Sequence, residues 1–183
     1  MQIEHCTILG AAVIYPPVFS DNRGIFVKPF VADYFAENKL CSTIGETFYS
    51  KSHRNVIRGM HFCVPPFDSS KLVTVLCGAM RDVILDLRVD SPTYGNTFTV
   101  ELSAGNHRSL YVPTGCAHGF LSLCDDTVTL YQTGGAYSAS HDRTIRWDSF
   151  AYDWGVDYPI ISDKDKSGIP FCEFKSPFLM ERR

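Results

Sequence analysis

The sequence predicts an all-β domain, an antiparallel barrel or sandwich, and three observations lead to this prediction. Short segments rich in Val, Ile, Leu, Phe and Thr recur along the chain. Turn-forming clusters separate these segments, as at residues 90–92 and 113–115. No linker, repeat or low-complexity tract divides residues 1–183, a length that suits one domain. We therefore expect a single domain.

Six segments carry the strand pattern, namely 71–78, 79–88, 96–103, 108–113, 119–124 and 128–133. In segment 79–88 one face is largely apolar, whereas the other also carries Asp82, Asp86 and Arg88. This alternation is typical of a strand that borders a polar cavity or water on one side.

The other parts of the chain are less regular. Residues 31–40 place Val31, Tyr34 and Phe35 at helical spacing and predict a short helix. From about residue 150 onward the chain is rich in loops and aromatic side chains. We expect this last part to pack on the barrel.

Composition excludes several classes of protein. The chain is 45% hydrophobic and 20% charged, with a net charge of −3, so it is globular and lacks the basic surface that nucleic acid binding needs. No apolar run approaches the roughly 20 residues of a membrane-spanning helix. The seven cysteines form no CxxC pair, which indicates free thiols in a reducing compartment. With no signal peptide at the start of the chain, we expect a cytoplasmic protein.

Two histidines are the first candidates for chemistry. His61 lies in the segment VIRGMHF near Arg58, and His118 lies in VPTGCAHGF beside a glycine. One such histidine is most often a hydrogen-bonded core residue, but two on separate strands favour a functional site. A metal is not predicted, because there is no HxH pair and because Arg58 and Lys71 would repel a cation.

Two tyrosines and an acidic cluster complete the set of candidates. Tyr131 and Tyr137 flank a Gly-Gly pair. Each is either an amphipathic rim residue or a proton donor, a role that suits a phenol with a pKa near 10. The polar segment 161–168 is either a solvated turn or the source of a carboxylate that orients a histidine.

With these residues in view, the sequence resembles the dTDP-4-dehydrorhamnose 3,5-epimerase family, which acts on nucleotide-linked 4-keto-6-deoxy sugars. The resemblance is carried, in order along the chain, by segments 16–26, 56–62, 71–95, 101–120, 130–133, 145–147 and 162–165. It implies a cupin-type jelly roll with short peripheral helices. It also implies a homodimer in which the partner's arm near Arg23 and Phe26 reaches the nucleotide.

The resemblance also assigns roles to individual residues. It implies that His61 is the base, that Asp165 orients it, and that Tyr131 is the acid. Lys71 is expected to act at the ketone. The remaining expected substrate contacts are Arg23, Phe26, Arg58, His118, Tyr137, Lys164, Glu46 and Phe48.

The implied reaction explains why these residue types occur together. A C4 ketone acidifies the hydrogens on C3 and C5, and removing one of them creates an enolate that needs nearby positive charge. His61 would take the proton on one face and Tyr131 would return one on the opposite face. The reaction is redox-neutral, and the chain has no Gly-rich dinucleotide motif opening a helix. We therefore expect no cofactor.

Four positions depart from the family's usual pattern. Lys28, Glu46, Phe48 and Cys63 stand where an acidic residue, Gln, Asn and Gln are common. A changed pocket around an intact catalytic set leaves three alternatives open. These are a CDP- or GDP-linked substrate, inversion at only C3 or only C5, and a non-catalytic sugar-nucleotide-binding cupin. An isomerase that moves the ketone and a metal-dependent cupin are further alternatives.

Overall fold

The computed structural model describes residues 1–180, which are built mainly from short strands. The strands are β1 (Gln2–His5), β2 (Ala12–Tyr15), β3 (Val18–Asp21), β4 (Gly24–Val27), β5 (Glu46–Ser52), β6 (Ile57–Cys63), β7 (Lys71–Cys77), β8 (Ala79–Asp86), β9 (Thr97–Ser103), β10 (Ser109–Val112), β11 (Cys116–Ser122), β12 (Thr127–Thr133) and β13 (Asp142–Thr144). The helices are α1 (Ala32–Glu37), α2 (Asp163–Lys166) and a single 3-10 turn at Phe171–Glu173.

The strands form two antiparallel sheets packed face to face. One sheet has the order β1-β2-β10-β7-β12-β5, and the other has the order β13-β6-β11-β8-β9. Because the chain alternates between the sheets, sequence neighbours rarely pair, as in a jelly roll. This architecture confirms the predicted fold class.

Three apolar cores hold the structure together, and two of them lie on opposite faces of the five-stranded sheet. The inner core lies between the two sheets and includes Val73 and Leu110 from one sheet and Ile84 and Phe120 from the other. The outer core covers the far face of the five-stranded sheet.

In the outer core, Val83 and Leu85 of β8 pack with Trp154 and Phe178. Residues after 150 therefore contribute side chains to the outer core. Both faces of β8 are buried. Its apolar face meets this segment, and its mixed face points into the barrel.

The six predicted strands are all present, with small differences in their ends. The predicted helix 31–40 is shorter than its pattern, covering Ala32–Glu37. Strands β1 to β5 and β13 were not predicted, and β6 was expected only as a strand near His61, without bounds. All seven cysteines are free. No helix in residues 1–180 is long and apolar enough to cross a membrane.

The hairpin of β3 and β4 stands apart from both sheets. Its apolar side chains Phe19, Ile25 and Phe26 are each about 60% exposed. Exposed apolar patches of this kind are frequent at interaction surfaces of proteins.

Candidate active site

A cavity of about 380 Å³ lies between the two sheets and collects most of the predicted site residues. The predicted residues that line it are His61, Tyr131, Lys71, Arg58, His118, Tyr137, Lys164, Glu46 and Phe48. Asp165 lies behind His61, in contact with it. Arg23 and Phe26 are not brought to this cavity, because they lie on the exposed hairpin, where Arg23 pairs with Asp21.

His61 projects from β6 and is held by Asp165. The His61 Nε2 atom lies 2.6 Å from Oδ1 of Asp165. The carboxylate is 2% exposed and also accepts the Gly59 N–H at 3.2 Å. A carboxylate at Nε2 holds the proton on that nitrogen and leaves Nδ1 as the ring atom that can accept another.

The sequence around Asp165 explains its position. Ser162 caps α2 by accepting the Asp165 N–H on its side chain, which fixes the start of this short helix against β6. Burial alone would raise the pKa of Asp165, but the His61 and Gly59 hydrogen bonds and the His61 charge outweigh it and lower the pKa. Asp165 therefore stays ionised, as a partner for imidazolium must.

Tyr131 enters the same cavity from the other sheet, on β12. Its hydroxyl shares a 3.3 Å hydrogen bond with Ser50, and burial raises its pKa above the ordinary value for tyrosine. The phenol is therefore protonated at neutral pH and is suited to donating a proton. His61 and Tyr131 thus approach one cavity from opposing sheets.

Lys71 begins β7 and donates from Nζ to the backbone carbonyl of His61 at 3.1 Å. Burial lowers the pKa of Lys71, and the nearby Cys63 and Asp142 only partly oppose this effect. A desolvated ammonium interacts more strongly with a developing oxyanion than a hydrated one does.

Arg58 and His118 line the cavity on the same sheet as His61. Arg58 donates to Ser52 Oγ at 3.0 Å, whereas His118 pairs with the fully buried Asp82 at 2.5 Å. The pairing of β11 with β6 shifts register between His118 and Phe120. This irregularity explains why Arg58 and His61 reach one cavity despite their opposite parity in the sequence.

At the mouth of the cavity, Asp142 joins two of the predicted contacts. It accepts a hydrogen bond from the Tyr137 hydroxyl at 3.2 Å and pairs with the Lys164 ammonium. Burial favours a lower pKa for Lys164, but the hydrogen bond and charge of Asp142 outweigh it and raise the pKa. Glu46 accepts the Tyr137 N–H at 3.0 Å on the other side of the mouth.

Polar residues that contact the predicted set but were not themselves predicted include Asp82, Asp142, Ser50 and Ser52. A signal existed only for Asp82, which stands on the mixed face of the predicted strand 79–88. Within residues 1–180, no group of three or more His, Cys, Asp or Glu side chains is placed to hold a metal ion.

The chain is similar in sequence to known proteins over most of its length. A family model described as dTDP-4-dehydrorhamnose 3,5-epimerase matches residues 5–173. A relative of that name from Sinorhizobium fredii is 38% identical, with 97% of this chain and 93% of the relative covered. A dTDP-4-dehydrorhamnose 3-epimerase from Streptomyces niveus is 31% identical, with 98% and 88% covered.

The fold has a similar match among solved structures. The dTDP-6-deoxy-D-glucose-3,5-epimerase from Legionella pneumophila, solved in complex with dTDP-4-keto-L-rhamnose, superposes with a TM-score of 0.92. It is 28% identical in sequence, and 98% of each chain is covered.

Proposed function

We propose that His61 and Tyr131 carry out the two proton transfers of an epimerase. This chain belongs to the dTDP-4-dehydrorhamnose 3,5-epimerase family, and it epimerises a nucleotide-linked 4-keto-6-deoxy sugar. The single observation that supports this assignment most strongly is the placement of His61 and Tyr131. The two side chains line one cavity but project from opposing sheets. Inversion of a carbon centre needs the proton to leave one face and return to the other, and two opposed groups do this without either having to move around the ring.

The reaction follows from the contacts of each residue. His61 Nδ1 removes the proton next to the ketone, and the ionised Asp165 stabilises the resulting imidazolium. Lys71, with Arg58 and His118 beside it, stabilises the enolate oxygen in the desolvated cavity. Tyr131 then donates its proton to the opposite face. Proton transfer by positioned groups of this kind contributes about 10²–10⁴-fold each to the rate.

We infer that the substrate carries dTDP, and the names of the relatives support this. The Lys164 ammonium at the cavity mouth suits the diphosphate, although Asp142 already pairs with it. The residues that depart from the family pattern at the pocket, Glu46, Phe48 and Cys63, all line the cavity. One of the compared relatives is named a 3-epimerase, so inversion at one carbon only is the second candidate.

We also infer that the chain works as a homodimer that exchanges its hairpin arms. Arg23 and Phe26 lie on the exposed β3–β4 hairpin and so require a partner to act on a nucleotide. Strand β5 is an edge of the six-stranded sheet beside the cavity, and Tyr49 on it is 72% exposed. An open edge strand and a projecting apolar hairpin are complementary surfaces for a second copy.

Two broader expectations remain proposals. We infer that residues 1–183 act as one domain, because the segment after residue 150 shares the outer core with the barrel. We infer a cytoplasmic enzyme, which the seven free thiols support. The proposed reaction requires no redox cofactor, since no electrons are transferred.

The experiment that tests the function is turnover in deuterated water with a panel of dTDP-, CDP- and GDP-linked 4-keto-6-deoxy sugars. NMR counts deuterium at C3 and C5 and measures inversion at each carbon. We expect fastest turnover with the dTDP sugar. Deuterium together with inversion at both carbons assigns the 3,5-reaction, and inversion at one carbon assigns the single inversion. Absence of exchange with every sugar would refute the proposed function.

A further inference from the structure

Phe48 makes a contact in the cavity that substrate binding does not explain. Its ring stacks on that of Tyr131, with centroids 4.8 Å apart and planes inclined by 15°. The two residues are direct partners in the pairing of β12 with β5. The contact is therefore built into the register of the sheet.

The hydroxyl of Tyr131 interacts with the side chains of Ser50 and Thr129, and its ring belongs to the inner core. The Ser50 contact at 3.3 Å is long for a hydrogen bond between hydroxyls, which is usually 2.7–2.8 Å. His118 meets the ring edge-on at 6.1 Å. Phe48 supplies the closest aromatic contact, in the stacked arrangement that aromatic pairs favour.

We propose that Phe48 is a positioning residue that holds Tyr131 at the sugar face where the proton is returned. The proposal rests on the proposed function, in which Tyr131 is the acid. Phe48 lines the cavity and stacks on Tyr131, while 44% of its surface stays exposed.

This arrangement separates the two halves of the reaction. Phe48 packs on the acid on one sheet, whereas His61 and Asp165 lie on the other side of the cavity. The His61 side chain is 32% exposed, so a proton that it has removed can exchange with water and return to the same face. Loss of the Phe48 ring should therefore slow inversion and leave exchange without inversion intact.

The test compares Phe48→Ala, Phe48→Leu and Phe48→Tyr with the wild type in deuterated water on the dTDP-linked 4-keto-6-deoxy sugar. NMR measures inversion and the deuterium that enters unreacted substrate. For Phe48→Ala we expect kcat for inversion to fall about 10–100-fold, the effect of a displacement of about 1 Å of a reacting group. We expect KM and exchange without inversion to stay within about threefold of wild type. Phe48→Tyr keeps the ring and should restore inversion.

The control is Tyr158→Ala, which removes an aromatic ring that is 89% exposed and does not line the cavity. It should leave both rates unchanged. Phe48→Leu keeps much of the apolar volume without the ring, so it provides the same test if Phe48→Ala does not fold.

Each other outcome overturns the proposal. Equal loss of inversion and exchange would indicate a general structural role for Phe48. A raised KM with unchanged kcat would indicate contact with the sugar alone, and unchanged inversion would indicate no role. Failure of the wild type to exchange or invert would instead refute the proposed function, so the two failures are distinguishable.

Discussion

The substitution Asp165→Asn tests the link between the buried carboxylate and the base. The Asp165 side chain is almost fully buried and lies 2.6 Å from His61 Nε2. An asparagine that points its NH2 group at Nε2 requires that nitrogen to accept, which moves the imidazole proton to Nδ1. That tautomer cannot act as the base at Nδ1. An asparagine of the opposite orientation keeps the tautomer but removes the charge that stabilises imidazolium.

The expected loss of activity follows from the charge–charge interaction between Asp165 and protonated His61. Two unit charges about 4 Å apart interact by about 4 kcal/mol at an effective dielectric constant of 20. Each ~1.4 kcal/mol corresponds to a factor of about ten in rate, so the full term is about 10³-fold. Because 32% of the His61 side chain is open to water, we expect a loss of about 10²–10³-fold in kcat.

The assay is steady-state epimerisation of the dTDP-linked 4-keto-6-deoxy sugar, followed by NMR. The matched control is Asp163→Asn on the same helix, whose side chain is fully exposed and 3.6 Å from Lys166. It should retain full activity. A kcat for Asp165→Asn within about threefold of wild type would show that the carboxylate does not support the base.

Two further predictions concern assembly and stability. If the arms are exchanged, refolding His61→Ala and Arg23→Ala protomers together should restore about a quarter of the wild-type sites. About half of the dimers are then mixed, and one of the two sites in each mixed dimer combines an intact base with an intact arm. No recovery of activity would exclude arm exchange. Asp86→Asn should cost about 3–5 kcal/mol, or roughly 6–20 °C in Tm, because it leaves the buried Arg88 without its carboxylate partner. The hydrogen bonds of Asp86 with Arg88, Ser91 and Thr93 outweigh the effect of burial, so the pKa of Asp86 is lowered in the folded protein. Because this folded pKa lies below the unfolded value of about 3.9, the stabilisation is present above pH ~3.9. It is lost as the pH falls through the folded pKa. Thermal unfolding from pH 7 to pH 3 should therefore show a steeper loss for wild type than for Asp86→Asn, and parallel curves would contradict this account.

The strands that sequence alone predicted are those with dense β-branched and apolar residues. Strands β7, β8 and β12 have this composition and lie inside the sheets. Strand β5 escaped prediction because it is an edge strand with mostly polar or exposed positions. Strand β6 contains Gly59 and pairs with a register shift, which breaks the alternation that identifies a strand.

The sequence predicted those site residues whose side chains can take part in proton transfer. His61 and Tyr131 are distinctive on strands, and the resemblance selected Asp165 from several carboxylates nearby. The pairing of His118 with Asp82 was not predictable, since it depends on how β11 aligns with β8. The register between β11 and β8 cannot be inferred from composition or from hydrophobic alternation.

The mixed face of segment 79–88 shows the same limit. Its prediction of a polar cavity is correct for Asp82, which supports His118 from inside the barrel. Asp86 and Arg88 follow the same pattern, but they form a buried ion pair at the end of the strand. Alternation identifies a polar face without distinguishing a pair that supports the cavity from a pair that stabilises the fold.

The measurement that tests the opposed base and acid most directly is deuterium incorporation by His61→Ala and Tyr131→Phe on the dTDP-linked 4-keto-6-deoxy sugar. His61→Ala should neither exchange nor invert, because no group remains to remove the proton. Tyr131→Phe should still exchange from the His61 face, but its inversion should fall by at least about 10²-fold. Inversion by Tyr131→Phe at the wild-type rate, or exchange by His61→Ala at that rate, would contradict the assignment.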